Sequence, residues 1–435
     1  MKEKITRIWQ NCVKEVCFLK KTVYDRDIGV FGMKNSVPNC LSILWLLICL
    51  RICFATDATI LQTVWIEYLV WGVVGLLTIQ RLLQQRRIFP VGAKALCLTF
   101  AALTVMMFVG CVFNFSAFAL KTIVSLLCVY CFIVELTYRQ VKIQLCYFRL
   151  FYYLTLLVFL IYTNSHISFG NTAPGCFVFL SYCYVVAEWS HESRENLNIS
   201  SLKTKKFWVL TACVLLAVII SWEARARTAS FVMLIVMAVF FLFTKVHQKT
   251  LDRLFWVFLA GTVIFSVLYA NITSLPGYEE LNRLSVKLFD KNLNSSRPVL
   301  WKYSLAELSW WQFIVGKGTG TLPSMSVYST SSFHNSYLQL LMQNGILGLA
   351  SLYTVFRIIW VRLVKCSDDK VIKFVLAAFV GIMVYNCFET TLLQNKTFLG
   401  IVQWLVLVLG LLRCNNLSRQ KARNNEKPHR LNKSE

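Results

Sequence analysis

The chain has 435 residues, of which 57% are hydrophobic and 15% are charged, and its net charge is +24. A soluble domain carries about a quarter charged residues. Together with a mean hydropathy of +0.58, this composition excludes an ordinary soluble protein and indicates a membrane protein. The positive charge is spread over the connections between apolar runs, which argues against a nucleic-acid partner.

Apolar runs long enough to cross a bilayer recur along the chain. Only helices suit such runs in lipid, so we predict an all-α, polytopic integral membrane protein with about twelve transmembrane helices. Together they form one multi-span membrane domain, residues 37–413. The predicted spans are 37–56, 59–80, 91–113, 116–135, 146–163, 171–190, 206–222, 228–244, 253–271, 336–361, 371–388 and 396–413.

The charges between the spans predict the topology. The even-numbered connections are basic, as in QRLLQQRR and KVHQK, whereas connections one, three and five contain no Lys or Arg. By the positive-inside rule, both termini lie in the cytoplasm. We predict that residues 1–36 form a basic amphipathic cytoplasmic tail against the membrane lipids. Residues 414–435 are predicted to be a basic cytoplasmic tail, which is disordered over RQKARNNEKPHRLNKSE.

The connection at residues 272–335 is the only long one predicted on the outer side, and long loops are usually functional or disordered. Within it, SSRPVLWKYSLAELSWWQF begins with serine and proline, as helices do. We predict a helix that rests on the outer leaflet; a lid without chemistry is the alternative. Val299, Leu300, Tyr303 and Leu308 recur at about helical spacing. The tryptophans that suit such an interfacial helix are Trp301, Trp310 and Trp311.

His334 stands directly before the tenth predicted span, in the stretch SSFHNSYLQLLMQNGILGL. Ser336 and Gln339 form the pattern S-x-x-Q, which predicts a capping box at the start of that helix. His334 then lies at the positive end of the helix dipole. This position favours a neutral imidazole, the form that accepts a proton. The alternative is a polar residue that merely ends a loop.

Three arginines are predicted on the same outer face. Arg225 and Arg227 lie in ISWEARARTASF, before the eighth span, and Arg297 opens the helix of the long connection. An arginine grips phosphate through two N–H donors. We therefore predict a phosphate-bearing substrate whose apolar tail stays in the bilayer. The alternative is that each arginine only snorkels to the membrane surface.

Asn335, Glu389 and Lys317 are candidates for supporting roles. Glu389 ends the eleventh predicted span, where it either orients His334 or an arginine or forms a solvated helix end. Lys317 lies in GKGTG, residues 316–320, which lacks the strand and spacing of a P-loop. We predict a flexible turn there, with a phosphate contact as the alternative. The outer connection has no acidic cluster with metal-ligand spacing, so no metal or other cofactor is predicted.

Over roughly residues 200–415 the chain resembles the O-antigen ligase and polymerase superfamily, which joins or extends bacterial surface polysaccharides. The matching elements are ARARTASFVML, SRPVLW, GKGTG and HNSYLQLLMQNGILGL, in that order. The last of these is the most specific. The resemblance implies a helical fold in the bacterial cytoplasmic membrane and an inverting, metal-independent glycosyltransferase. Its donor would be a glycan on undecaprenyl diphosphate and its acceptor another glycan.

Carried over to this chain, the resemblance implies that His334 is catalytic, as the general base for the acceptor hydroxyl. It also implies that Arg227 and Arg297 bind the diphosphate. The usual S-R pair reads A-R here, and Arg225 lies two residues upstream. Because R-T-A-S continues directly into the span, we assign the role to Arg227, with Arg225 as the alternative.

Three functions remain open at this point. A polymerase would extend repeat units into O-antigen or capsule, together with a chain-length regulator and a flippase. A ligase would transfer the glycan to lipid A core, to form lipopolysaccharide, or to another acceptor. The HNSYLQLL and NGILG segments favour the polymerase. A transporter would show repeat symmetry and polar groups at mid-membrane, whereas here the notable charges gather on one face.

Overall fold

The computed structural model describes residues 37–54, 64–85, 94–138, 145–164, 173–192, 205–223, 226–289, 292–293, 297–323, 332–393 and 397–431. The predicted amphipathic tail at 1–36 lies outside these ranges. Every regular element within them is a helix. The predicted all-α class is therefore confirmed for the described part of the chain.

Each predicted span overlaps one helix within the described residues. Among the helices of the described ranges, eight are long and apolar enough to cross a membrane, which supports a polytopic membrane protein. The helices are α1 (Val37–Cys53), α2 (Val64–Gln85), α3 (Lys94–Phe113), α4 (Ala117–Tyr138), α5 (Leu145–Asn164), α6 (Ala173–Glu192), α7 (Lys205–Glu223), α8 (Arg227–Lys245), α9 (Gln248–Ala270), α10 (Tyr278–Phe289), α11 (Arg297–Ala306), α12 (Trp310–Val315), α13 (Ser336–Val364), α14 (Lys370–Tyr385) and α15 (Thr397–Leu431), with a 3₁₀ turn at Ile272–Ser274.

Three segments form the centre of the bundle: α6, α14 and residues 400–414 of α15. Nearly every described side chain on them is buried. A helix that is apolar on all sides must be surrounded by protein or lipid. These three segments are surrounded by the other helices of the bundle. Those outer helices expose large apolar side chains, such as Leu76, Phe108 and Trp256. We attribute this exposed apolar surface to contact with lipid.

Helix α13 is interrupted at Gly345, whose backbone has φ 65 and ψ −169. A Cβ atom at this position would overlap the carbonyl group of Ile314. Glycine is needed there because α12 packs into the interruption. The carbonyls of Met342 and Gln343 accept hydrogen bonds from the N–H groups of Lys317 and Gly318, at 2.8 and 3.0 Å. The connection after α12 is thus anchored in the break of α13.

The prediction for the tryptophans of the long connection is wrong for Trp301. Its side chain is 1% exposed, and its indole N–H donates to the Phe333 carbonyl at 2.7 Å. It packs in a small apolar cluster with Leu300 and Met342. Trp310, by contrast, is 78% exposed. Spacing alone could not distinguish the two, because burial depends on how α11, which carries Trp301, and α12, which begins at Trp310, each meet the bundle.

The prediction of disorder for residues 419–435 is also wrong as far as Leu431, since α15 continues to that residue; the last four residues lie outside the described part of the chain. Two physical reasons favour this extension. Lys, Arg, Gln and Glu are good helix formers. Extending an existing helix also avoids the cost of starting a new one.

Candidate functional site

His334 lies at the junction between the long connection and α13. It is the one non-glycine residue with positive φ in the described part of the chain, at 52°. Its backbone N–H donates to the Ser332 hydroxyl at 3.2 Å, and its ring is half-buried. A left-handed conformation costs an L-residue about 1–2 kcal/mol. Strain of this kind persists where surrounding contacts enforce it, and it is concentrated at functional sites.

The cap of α13 is Asn335, so the predicted capping box of Ser336 and Gln339 is wrong. The Asn335 side-chain oxygen accepts from the backbone N–H groups of Tyr337 and Leu338, at 2.9 and 3.0 Å. Asparagine caps a helix as well as serine does, and here it comes one residue earlier. The Gln339 side chain instead accepts from the backbone N–H of Phe333. His334 therefore immediately precedes the cap.

Asn335 also holds this junction against the neighbouring helix α9. Its side-chain amide donates to the Ser266 hydroxyl at 3.1 Å, and the residue is completely buried. A buried amide whose donor and acceptor are both used fixes its own backbone firmly. Asn335 thus fixes the start of α13, directly after His334.

Arg297, the first residue of α11, contacts the segment that follows α14. Its guanidinium donates to the Phe388 carbonyl at 2.9 Å and to the Glu389 carboxylate at 3.3 Å. The side chains remain 23% and 14% exposed. The structure therefore places Glu389 against an arginine rather than at a solvated helix end. An arginine held on two sides has a defined orientation.

The same segment after α14 also holds the start of α13. The backbone N–H of Ser336 donates to the Asn386 carbonyl at 2.9 Å. The Ser336 hydroxyl lies 2.8 Å from the Glu389 carbonyl, to which it donates, and from the Asn386 side-chain oxygen. The Asn386 amide in turn donates to Gln403 of α15. These bonds place Ser336, two residues after His334, in the same hydrogen-bond network as Arg297.

The backbone of the glycine-containing stretch 316–320 is hydrogen-bonded to α13 and to α3. The N–H groups of Lys317, Gly318 and Thr319 donate to backbone carbonyls, the last to Gly110 of α3 at 3.2 Å. The N–H groups that would surround a phosphate in a P-loop are therefore already used. The Lys317 ammonium donates to the Glu307 carboxylate at 2.8 Å, so its charge is balanced locally.

Arg225 lies outside the described residues, and Arg227 is described only as the first residue of α8. The position of α8 nevertheless locates its start. Lys373, near the beginning of α14, donates to the carbonyl of Thr244, near the end of α8. The two helices are therefore antiparallel, and α8 begins at the end of the bundle where α14 ends. That end also carries Glu389 and its partner Arg297.

Sequence reasoning missed the polar residues that connect the site, above all Asn386 and Glu307. Asn386 directly follows an apolar span, and its side chain is completely buried. A polar residue at the end of an apolar span is a sequence signal for a functional site. Its partners cannot be read from the sequence. Among the described residues, no group of three or more His, Cys, Asp or Glu side chains is arranged to hold a metal ion.

The described site therefore combines a histidine before a helix N-terminus with an arginine oriented by a carboxylate. Such a pair can accept a proton and neutralise a developing anion. Comparison with known proteins adds no identification to this geometry. A scan against protein-family models finds no match for the chain, and a search of the curated proteins finds no significant match either.

Proposed function

We propose that this protein is a membrane glycosyltransferase of the bacterial cytoplasmic membrane. It polymerises undecaprenyl-diphosphate-linked oligosaccharide repeat units into a surface polysaccharide, either O-antigen or capsule, on the outer face of the membrane. The proposal includes about twelve spans with both termini in the cytoplasm. The observation that carries it is the network in which Arg297, Glu389 and Ser336 join the start of α11 to the junction that holds His334.

In the proposed reaction, His334 accepts the proton of an acceptor hydroxyl. The hydroxyl oxygen forms a bond to the anomeric carbon of the donor, and the bond from that carbon to the diphosphate oxygen breaks with inversion. Undecaprenyl diphosphate leaves with the electron pair. Arg297 and Arg227 stabilise its negative charge, with Arg225 as the alternative to Arg227. Charge neutralisation by pre-oriented groups lowers the barrier without a metal ion.

The contact between Arg297 and Glu389 is compatible with diphosphate binding. A guanidinium has more N–H donors than the two hydrogen bonds of Arg297 use. The side chain is also partly exposed, so a ligand can reach it. Glu389 would then orient the arginine, while the remaining donors contact the phosphate oxygens.

Two other functions are distinguished by their products. A ligase would use the same donor but would transfer the glycan to lipid A core or another acceptor. A transporter would form no glycosidic bond and would only move the donor across the bilayer. We favour the polymerase because the motifs at 334–349 resemble that branch of the superfamily.

The test uses purified protein in detergent and the lipid-linked repeat unit extracted from cells that lack the gene. We expect longer glycans that remain on lipid diphosphate, together with free undecaprenyl diphosphate. Product that appears only after lipid A core is added would identify a ligase. Absence of any new glycosidic bond with either acceptor would contradict the proposal. Each assay is repeated with a chelator; activity that is lost and then restored by a divalent ion would exclude the arginine mechanism.

A further inference from the structure

A cavity of about 360 Å³ lies beside the site, between α11, α12, the stretch 316–323 and the end of α3. Its volume falls within the range of ligand-binding pockets, about 300–1,000 Å³. Phe333, which directly precedes His334, forms part of its apolar wall together with Met342. Its polar lining residues are Asn114, Ser304, Glu307, Gln312, Lys317 and Thr321.

The charges on the cavity wall balance each other. Lys317 and Glu307 form an ion pair across 2.8 Å, and both side chains are partly exposed. A cavity of this kind offers no net positive charge to a phosphate. It does offer a charged donor beside a charged acceptor, together with hydroxyl and amide groups. Hydroxyl groups of a ligand are both donors and acceptors, so they can hydrogen-bond to both members of the pair.

The position of the cavity relates it to the proposed reaction. Ser304 lies on α11 seven residues after Arg297, which corresponds to about 10 Å along the helix axis. Phe333 places the cavity next to His334 along the chain. A ligand in the cavity would therefore contact the residue before His334 and lie about 10 Å along α11 from Arg297.

We propose that this cavity binds a neutral sugar unit of the glycan, next to the bond that reacts. The inference rests on the proposed function and extends it: Arg297 recognises the diphosphate, and the cavity recognises the sugar. The ion pair of Glu307 and Lys317 is the specificity-determining element. In this proposal Lys317 contacts the glycan together with its partner Glu307.

The experiment compares two probes on the purified full-length protein. The first is undecaprenyl diphosphate without a glycan. The second is the free oligosaccharide that mild acid releases from the lipid-linked repeat unit, with binding followed by saturation-transfer NMR. The cavity variant is the double substitution Glu307→Gln/Lys317→Met. The matched control is Lys302→Met, on the exposed face of α11, which ends directly before Glu307.

We expect the cavity variant to bind the oligosaccharide at least tenfold more weakly and undecaprenyl diphosphate as well as the wild type does. Arg297→Lys should show the reverse pattern, and Lys302→Met should change neither affinity. A charge-swapped variant, Glu307→Lys/Lys317→Glu, separates recognition from folding. Because its ion pair is restored, we expect this variant to have the melting temperature of the wild type. It should nevertheless bind the oligosaccharide as weakly as the cavity variant does.

Two modified oligosaccharides identify the source of the sugar. Borohydride reduction opens the ring at the reducing end, and loss of binding would assign the cavity to the donor's first sugar. Exoglycosidase trimming removes the other terminal sugar, and loss of binding would assign the cavity to the acceptor. Either result supports the proposal.

The negative outcomes are distinguishable. If the wild type binds neither probe, the proposed function fails. If it binds undecaprenyl diphosphate but not the oligosaccharide, or if the cavity variant binds the oligosaccharide normally, only the cavity inference is overturned. Displacement of the oligosaccharide by inorganic diphosphate in Arg297→Lys would show that the cavity is an anion site, which also overturns the inference.

Discussion

The guanidinium of Arg297 donates to the carboxylate of Glu389 at 3.3 Å, although 92 positions separate the two residues. The contact joins the first turn of α11 to the segment after α14. That segment also accepts hydrogen bonds from Ser336, two residues after His334. The orientation of the arginine and the position of the histidine therefore depend on the same few residues. An enzyme gains most from charged groups that are oriented before the reaction begins.

The first prediction concerns Arg297. In Arg297→Lys the charge is kept, but the planar group that reaches both the Phe388 carbonyl and Glu389 is lost. We expect the rate to fall about 10²-fold, as when one stabilising donor is removed from an active site, with normal expression. Arg283→Lys, on the exposed surface of α10, is the matched control and should keep full activity. Equal activity of the two variants would remove Arg297 from the mechanism.

The second prediction concerns His334. The left-handed backbone makes His334→Asn a better test than His334→Ala, because asparagine tolerates this conformation. If His334 is the general base, His334→Asn should lower the rate about 10²–10⁴-fold. Donor binding should be unchanged, since the arginines hold the diphosphate and Asn335 still caps α13. Both quantities are measured on the same purified protein. Near-normal product formation would return His334 to the role of a residue that ends a loop.

The third prediction separates Arg225 from Arg227. Helix α8 begins at Arg227, and its antiparallel packing on α14 places that start at the end of the bundle that carries Arg297. We expect Arg227→Lys to lose activity as Arg297→Lys does, and Arg225→Lys to be milder. Rates of the two variants are compared at equal protein levels in the membrane. The opposite order would assign the diphosphate contact to Arg225.

The fourth prediction concerns topology. Lys302 is exposed on α11, and Lys249 is exposed near the start of α9, on the predicted cytoplasmic side. In intact cells a membrane-impermeant maleimide should label Lys302→Cys but not Lys249→Cys. Permeabilised cells should allow both to react, and the unsubstituted protein measures the background. Labelling of Lys249→Cys alone in intact cells would invert the orientation of the whole site.

The fifth prediction concerns the break in α13. In Gly345→Ala, a Cβ atom would overlap the Ile314 carbonyl, and the backbone would keep an unfavourable φ. The conformational strain alone costs roughly 1–3 kcal/mol, so the melting temperature in detergent should fall. Gly261→Ala, where nothing lies within 4 Å of the added atom, should show no loss of stability. A normal melting temperature for Gly345→Ala would mean that α12 is free to move away from the break.

The predictions about local segments agree best with the structure. The helices coincide with the predicted spans because span length and apolar composition are properties of one continuous window of sequence. The predictions that were wrong concern contacts between segments that are distant in the sequence. Ser336 lies three residues before Gln339, as a capping box requires. Asn335 caps the helix instead, because its amide also donates to Ser266. The boundaries of the membrane domain, the outer connection and the tails stay predictions.

By itself, the sequence determined that this is a helical membrane protein, and it singled out His334 and Arg297 as residues of interest. Only the tertiary structure decided which groups they meet. It paired Arg297 with Glu389 and Lys317 with Glu307, and it buried Trp301. Hydropathy acts on each segment independently, since the bilayer is the same solvent for all of them. Hydrogen bonds between polar groups require two distant segments to approach within about 3 Å, and that distance is set by the packing of the whole bundle.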